Sequence, residues 1–452
     1  MKRVVCPYCG FGCNLLIDPA TLKVKPYKGE PNRGGKLCPK GLHATEIVKS
    51  GERLKRPPLK RVGSSMVPIS WGGVAIGEIA NRLLEIRELY GPDAVAFLAS
   101  SKVSNEENYL LQKIARLFGT NNIDNCARLC HEGSVHALKL AVGTGTQTNP
   151  YEDIPKFKSV LIWGGYNPAE THPVVMDYIV RAKRNGAKII AVDVRETRTM
   201  AFADYKLVIR PGTDIVLANA LAHIIIEEEL YNGGLHPEQD SWLLRGEDGC
   251  QKVHARIRRE GNRSSCRNNQ GSCRGGVRPR WKWGGGYVGG MGLTQHVSGV
   301  ENILAVINLA LLLGYIGERG GGLYPMRGQN NVQGAAYMGA LSEFLPGYVP
   351  SPTRSSGGEL QGSGGALATS RRRGGVIPYR AVGSDRKGGD ITALYIVGEN
   401  PAVSEADFMM VRNALKKLDL LVVQDIFPPR RRLAMPTTSC RLRHFARRAG
   451  AT

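Results

Sequence analysis

Four cysteines near the start of the chain fall in the pattern Cys6-x2-Cys9-x3-Cys13-x24-Cys38. Four thiolates with two short gaps and one long one can close around an iron–sulfur cubane. Zinc takes the same donors, usually as two symmetric C-x2-C knuckles. The unequal gaps within one turn-rich loop (Pro7, Gly10, Gly12) favour the cubane, with zinc as its rival. Lys40, two residues after Cys38, is either a solvated lysine or a cation between that cluster and another redox centre.

A second set of reactive residues lies in NIDNCARLCHEGSV, which holds Cys126, Arg128, Cys130 and His131. A lone cysteine is commonly a small buried hydrophobe. Arg128 and His131 are neighbours able to lower the Cys130 pKa and favour the metal-binding thiolate, the alternative to that reading. Arg327, in GLYPMRGQNNVQGAAYMGA, is expected in a polar, glycine-flanked loop following an apolar helix. A guanidinium there is suited to a two-point grip on a small carboxylate, although a structural salt bridge is the commoner role.

The elements that must carry these residues alternate. Val74–Tyr90 and Asn108–Phe118 have helical spacing, with the strand-like run Ala94–Ser100 between them. Ser159–Trp163, Lys188–Val192 and Lys206–Ile209 read as short parallel strands separated by helical patterns. Ala393–Val397, a helix near Phe408–Lys417 and the strand Leu418–Gln424 follow. Such alternation predicts an α/β fold of right-handed βαβ units. Strand ends run into Gly164–Pro173, Asp193–Arg198, Arg210–Asp214, Gly398–Asp407 and Gln424–Asp425, all glycine-, asparagine- or aspartate-rich loops. Ligands bind at the carboxyl ends of strands in open α/β sheets. Five such loops point to one or two large nucleotide-like cofactors, Asp193 being placed to hold a ribose or a guanine edge.

Length and charge bound the possibilities. The chain has 452 residues, a 42% hydrophobic share and net charge +22, which excludes wholesale disorder and a disulfide miniprotein. The most apolar stretch, Ile303–Ile316, is 14 residues long, whereas a membrane span needs roughly 20. The start has no apolar signal region and no twin arginine, so a cytoplasmic, reducing location is expected. The positive charge is concentrated. Arg245–Lys282 carries net +8, Ser351–Gly389 net +5 and Phe427–Thr452 net +7. These low-complexity stretches read either as basic nucleic-acid arms or as segments where the reading frame has slipped. The second reading is favoured, because each begins and ends abruptly beside well-patterned sequence.

Together, CPYCGFGC…LCPKG, NCARLCHEGSV and GMGLTQHVSGVENILAVINLALLLGYIG…LYPMRGQNNVQGAAYMGA resemble the molybdopterin oxidoreductase superfamily, and within it the catalytic α subunits of cytoplasmic formate dehydrogenases. The resemblance covers roughly residues 1–244, 288–350 and 390–427. It implies a small N-terminal [4Fe–4S] module plus two Rossmann-like, doubly wound α/β domains. The boundaries expected are 1–58 for the cluster domain, 59–127 with 331–426 for a discontinuous pterin-binding domain, and 128–330 for a second. Residues 427–452 would be an unmatched basic tail, with the family's C-terminal β-barrel-like domain missing and the chain truncated.

The same resemblance implies the residue roles. Cys6, Cys9, Cys13 and Cys38 would bind [4Fe–4S], with Lys40 linking it electronically to a pterin. Cys130 would ligate molybdenum or tungsten held by two molybdopterin guanine dinucleotides, His131 would take part in proton handling, and Arg327 would orient formate. Cofactor contacts would include Lys102, Asn167, Glu170, Asp193, Arg195, Gly212, Gln295, Gln329, Asn400, Gln424 and Asp425. Lys102 stands where arginine is common, and Glu170 where aspartate is common. The reaction implied is oxidation of formate to CO2, with electrons leaving to a separate iron–sulfur or flavin subunit linked to a deazaflavin, NAD, ferredoxin or a hydrogenase. No nucleic-acid partner is expected. A nitrate reductase, a formylmethanofuran dehydrogenase subunit, a non-catalytic electron conduit and a basic zinc-knuckle nucleic-acid binder are the alternatives.

Overall fold

The computed structural model describes residues 1–231, 285–351 and 391–427, except 33, 55–58, 63, 64, 229, 318 and 406, together with the backbone of 438–441. Apart from Ser351, Phe427 and that short backbone segment, the three basic stretches lie outside the described residues. The chain forms two compact units. One comprises Met1–Glu30, Pro39–Ala127 and Gln329–Thr452, the other Pro31–Cys38 and Arg128–Gly328.

The first unit opens with a three-stranded antiparallel sheet of β1 (Lys2–Val5), β2 (Asn14–Ile17) and β3 (Val24–Pro26). Leu15 and Ile17 of β2 are buried, whereas β1 is exposed or half-buried. The loop joining β1 to β2 is closed by the Cys6 amide donating to the Cys13 carbonyl at 2.8 Å. Cys6, Cys9 and Cys13 therefore share one hairpin tip.

The same unit contains a seven-stranded sheet. Its strands are β4 (Leu59–Val62), β5 (Ser65–Pro68), β6 (Val95–Leu98) and β7 (Ile123–Asp124). Far along the chain, after the separate two-stranded hairpin of β13 (Phe344–Leu345) and β14 (Val349–Pro350), it is completed by β15 (Ala393–Val397), β16 (Leu420–Asp425) and β17 (Thr438–Arg441). The spatial order is β5-β4-β17-β16-β15-β6-β7, parallel from β17 to β7, with β4 and β5 an antiparallel edge hairpin. All four residues of β6 are buried, the uninterrupted apolar run expected of a strand covered on both faces. The helix after β6 spans Asn105–Phe118, three residues earlier than helical spacing alone predicts. A capping box sets its start: Ser104 accepts from the Glu107 amide while the Glu107 carboxylate accepts from the Ser104 amide. The helix Gly77–Tyr90 begins later than expected because Trp71–Ile76 winds as a π-helical turn.

The second unit is built on a five-stranded parallel sheet of β8 (Ser159–Trp163), β9 (Lys188–Asp193), β10 (Tyr205–Val208), β11 (Gly285–Gly289) and β12 (Gly322–Pro325). Its order is β10-β9-β8-β11-β12, so the winding direction reverses between β8 and β11. The helices Glu132–Val142, Asp214–Glu227 and Gly299–Leu312 pack together around a core including Trp163, Val192, Ile303, Val306 and Ile307. Trp163 donates its indole N–H to buried Asp214 at 2.8 Å. This carboxylate sits in the first turn of its helix, where the peptide dipoles favour negative charge.

Sequence patterning missed β11, whose residues Gly-Gly-Tyr-Val-Gly look like a loop. A Cβ on Gly286 would lie 2.2 Å from the Phe157 ring. The aromatic side chain fills the space where a β-branched residue would ordinarily sit. The apolar helix is also not followed directly by the Arg327 loop, since β12 intervenes. No described helix is long and apolar enough to cross a membrane.

Candidate active site

In the second unit, the carboxyl edge of the five-stranded sheet gathers the reactive residues. Asn167 follows β8, Asp193 ends β9, Gly212 follows β10, Gln295 follows β11 and Arg327 follows β12. Gly292 crosses close over Gly164, its amide donating to the Gly164 carbonyl at 2.7 Å, and a Cβ at Gly292 would collide with that backbone at 2.4 Å. The reversal point of the sheet is therefore sealed backbone to backbone.

Cys130 is buried two residues before the start of the helix Glu132–Val142. The one-turn helix Met291–Thr294 and the residue after it hold its backbone. Thr294 Oγ1 donates to the Cys130 carbonyl, and Gln295 Nε2 donates to the Leu129 carbonyl at 2.9 Å. The Cys130 thiol lies 3.3 Å from Met291 Sδ. Burial pushes its pKa up, opposed by a hydrogen bond from the Gly328 amide and by the charge of Arg327. This corrects the expectation that Arg128 and His131 would lower it. His131 is neutral and cannot act by charge; the groups that favour the thiolate come from 197 and 198 positions downstream.

His131 is 1% exposed. Its Nε2 lies 2.8 Å from the Met326 carbonyl and its Nδ1 3.1 Å from Ser134 Oγ. A carbonyl only accepts, so Nε2 carries the proton and Nδ1 accepts from the Ser134 hydroxyl. Burial first, then the Arg327 charge, pull its pKa down to about 3, with the Met326 hydrogen bond opposing. Arg327 is itself buried, donating to the carbonyls of His131 at 3.3 Å and Gly145 at 2.7 Å. His172 Nε2 in turn lies 3.0 Å from the Arg327 carbonyl. Thiol, imidazole and guanidinium thus form one connected cluster. Met291, Thr294, Ser134 and His172 belong to it and were not singled out in the sequence. Met291 and Thr294 lie in the long GMGLTQ signature, which is the signal that could have found them.

The other residues expected at this edge serve the loops. Asn167 Oδ1 accepts from both the amide and the hydroxyl of Thr199, at 3.2 and 2.6 Å. Asp193 Oδ1 accepts from the amides of Val194 and Arg195. Glu170 pairs with Arg198 at 3.3 Å.

In the first unit, the carboxyl edge of the larger sheet carries Lys102 after β6, Asn400 after β15, and Gln424 and Asp425 at the end of β16. The Ser100 hydroxyl donates to the Gly398 carbonyl at 2.8 Å, joining the β6 and β15 ends where the strand order reverses. Gln424 Oε1 accepts from Tyr395, and Asp425 is raised in pKa by burial, opposed by the amides of Ile426 and Phe427. Lys102 Nζ donates to the carbonyls of Pro7 and Tyr8 at 3.0 and 2.8 Å, between two of the N-terminal cysteines. Lys40 lies in the short helix Pro39–Leu42, and Gln329 begins the unit's last segment.

The residues present fit both implied groups. Cys6, Cys9, Cys13, Cys38 and Cys130 are not joined in disulfides, and their sulfurs are soft donors suited to iron and to a high-valent metal–dithiolene centre. At the end of β15, Asn400 Oδ1 and Glu399 Oε2 are buried with no hydrogen-bond partner among the described residues, as expected where a polar ligand completes the bonding. Among the described residues, no three His, Cys, Asp or Glu side chains are drawn together as ligands of one metal ion. The fit at the N-terminus therefore rests on donor chemistry.

The comparisons with known proteins agree with this reading. Residues 2–50 match the molybdopterin oxidoreductase Fe4S4 domain, which decides between cluster and zinc, and residues 53–431 match the molybdopterin oxidoreductase domain. The chain is 37% identical to formate dehydrogenase H of Escherichia coli K12 over 94% of its own length and 60% of that protein's. It is 36% identical to the F420-dependent formate dehydrogenase 1 subunit alpha of Methanococcus maripaludis, over 94% and 61%. The assimilatory nitrate reductase catalytic subunit of Bacillus subtilis is 32% identical, over 93% and 59%. The chain thus spans about three fifths of the length of these relatives. Acetylene hydratase from Pelobacter acetylenicus shares the fold, with TM-score 0.68 at 18% identity, covering 96% of this chain and 62% of that one. The two domains matched by this chain name its cofactors, a molybdopterin and an Fe4S4 cluster, and the chain belongs to the molybdopterin oxidoreductase family.

Proposed function

We propose that this chain is the catalytic portion of a formate dehydrogenase, oxidising formate to CO2 with release of one proton and two electrons. The observation that carries the reading is the buried Cys130–His131–Arg327 cluster, with the Gly328 amide and the Arg327 charge both favouring the Cys130 thiolate. In this reading Cys130 ligates molybdenum or tungsten, and two molybdopterin guanine dinucleotides hold the metal. The bound centre supplies a two-electron acceptor.

The chain's own residues orient the substrate. Arg327, held by two carbonyls, presents a fixed cation to the formate carboxylate. His131 stays neutral, and its part in proton handling is confined to Nδ1, through the Ser134 hydroxyl. Cys6, Cys9, Cys13 and Cys38 would hold a [4Fe–4S] cluster, which would supply one-electron transfer toward a separate iron–sulfur or flavin subunit in the cytoplasm, with Lys40 two residues after the last of these cysteines. The strand-end residues Asn167, Asp193, Gly212 and Gln295 of one unit would contact a pterin, and so would Asn400, Gln424 and Asp425 at the corresponding edge of the other unit's sheet.

Metal and pterin analysis of the purified protein, with formate-dependent dye reduction, tests this. Cys130→Ala is expected to abolish turnover, and undiminished formate oxidation in that variant would overturn the assignment. Nitrate reduction by reduced viologen, with no formate oxidation, would favour the nitrate reductase reading that the B. subtilis relative keeps in view.

A further inference from the structure

We propose that Lys102 is a positioning residue for the iron–sulfur loop: it clamps the Pro7–Tyr8 segment by its carbonyls and sets a second positive charge, besides Lys40, that raises the cluster's reduction potential. The inference rests on the cluster being bound by Cys6, Cys9, Cys13 and Cys38.

The geometry starts at the carboxyl end of β6. Ser100 Oγ accepts from the Lys102 amide at 3.0 Å while donating to Gly398, which fixes the lysine backbone against the edge of the sheet. From there the ammonium reaches the carbonyls of Pro7 at 3.0 Å and Tyr8 at 2.8 Å, the two residues between Cys6 and Cys9. Asn330, with its amide nitrogen turned to the loop, donates to the same Pro7 carbonyl at 2.8 Å and to the Ser101 carbonyl at 3.2 Å. Two side chains from separate segments thus converge on one carbonyl of the cluster loop.

The electrostatics follow from the same placement. Burial pulls the Lys102 pKa below the ordinary lysine value, the thiols of Cys126, Cys9 and Cys6 act the other way, and Lys40 adds a like charge that lowers it further. That desolvation is partial, because the residue keeps contact with solvent, so water sustains its charge and also screens it. Reduction adds one negative charge to a cluster that is already anionic with four thiolates, and a nearby cation favours that state.

The test uses the intact protein reconstituted with iron and sulfide. Iron content, the rate of cluster loss to a chelator, and the midpoint potential from an EPR-monitored redox titration are measured. Lys102→Met is expected to shift the midpoint negative and to speed cluster loss. Lys102→Arg should keep the midpoint near the wild-type value, and Asn330→Leu should speed cluster loss without shifting the midpoint. If Lys102→Met holds no cluster, restoration by Lys102→Arg supports the role and failure to restore overturns it. Wild-type protein that takes up no iron overturns the lysine's role together with the cluster assignment. Loaded wild-type protein with an indistinguishable Lys102→Met variant overturns the lysine's role alone.

Discussion

The thiol of Cys130 lies 3.3 Å from the thioether of Met291, a residue 161 positions further along the chain. Gly328 closes the same space, since a Cβ there would sit 3.8 Å from Met291 Sδ and 3.9 Å from Cys130 Sγ. The sulfur is therefore enclosed by a methionine, a glycine and the end of a strand, and its reactivity depends on that enclosure.

Met291→Ala removes the neighbour and opens the thiol to solvent. In metal-free protein, Cys130 should alkylate faster than in the wild type, as followed by peptide mass spectrometry. Because Met291 is 37% exposed, the stability cost should be about 1–2 kcal/mol, below the range for a fully buried methionine. An unchanged alkylation rate would contradict the enclosure.

Ser134→Ala strips the donor from His131 Nδ1 and leaves a buried nitrogen unsatisfied, at a cost of about 1–3 kcal/mol in thermal or urea unfolding. The pH dependence has a defined sign. The ring is held neutral with its pKa at about 3, against 6.5 unfolded. Its contribution to stability is present above pH 6.5 and is lost as the pH falls toward 3. His131→Asn should show a shallower decline in melting temperature between pH 6.5 and 4.

Glu399 predicts the opposite slope. Burial, followed by the charges of Glu405 and Asp124, raises its pKa from 4.5 to about 8. Folding takes up a proton between those values, so this contribution is full below pH 4.5 and is lost as the pH rises to 8. Glu399→Gln should flatten that dependence in unfolding curves measured from pH 5 to 8. A slope equal to the wild type's would show that another group controls it.

Arg116 ties its helix to the segment Leu341–Phe344 through one nitrogen, Nη2, which reaches the carbonyls of Leu341, Ser342 and Phe344 at 3.1, 3.4 and 3.3 Å. Burial lowers its pKa to about 10, so it remains charged at neutral pH. Arg116→Met should cost about 2–4 kcal/mol, and Arg116→Lys should recover part of it. Equal melting temperatures for the wild type and Arg116→Met would rule out this tie.

Much of the scaffold is legible in the amino-acid sequence. Ser159–Trp163 and Ala393–Val397 occupy the residues their apolar runs predict, because a strand buried on both faces needs an unbroken hydrophobic string. The strand Gly285–Gly289 was not legible, since its glycines reflect a neighbouring ring rather than a backbone preference. The start of the helix at Asn105 was legible only through the Ser104–Glu107 capping box, which periodicity alone passes over.

The candidate site divides the same way. Residue type and spacing by themselves picked out four soft sulfur donors at the N-terminus and the Cys130–His131 pair, because local chemistry is written in local order. The ionisation of that pair, and the company it keeps, came only with the fold. Met291, Met326, Arg327 and Gly328 reach Cys130 and His131 by lying on strand ends of one parallel sheet, and a sheet brings together segments that the linear order holds far apart.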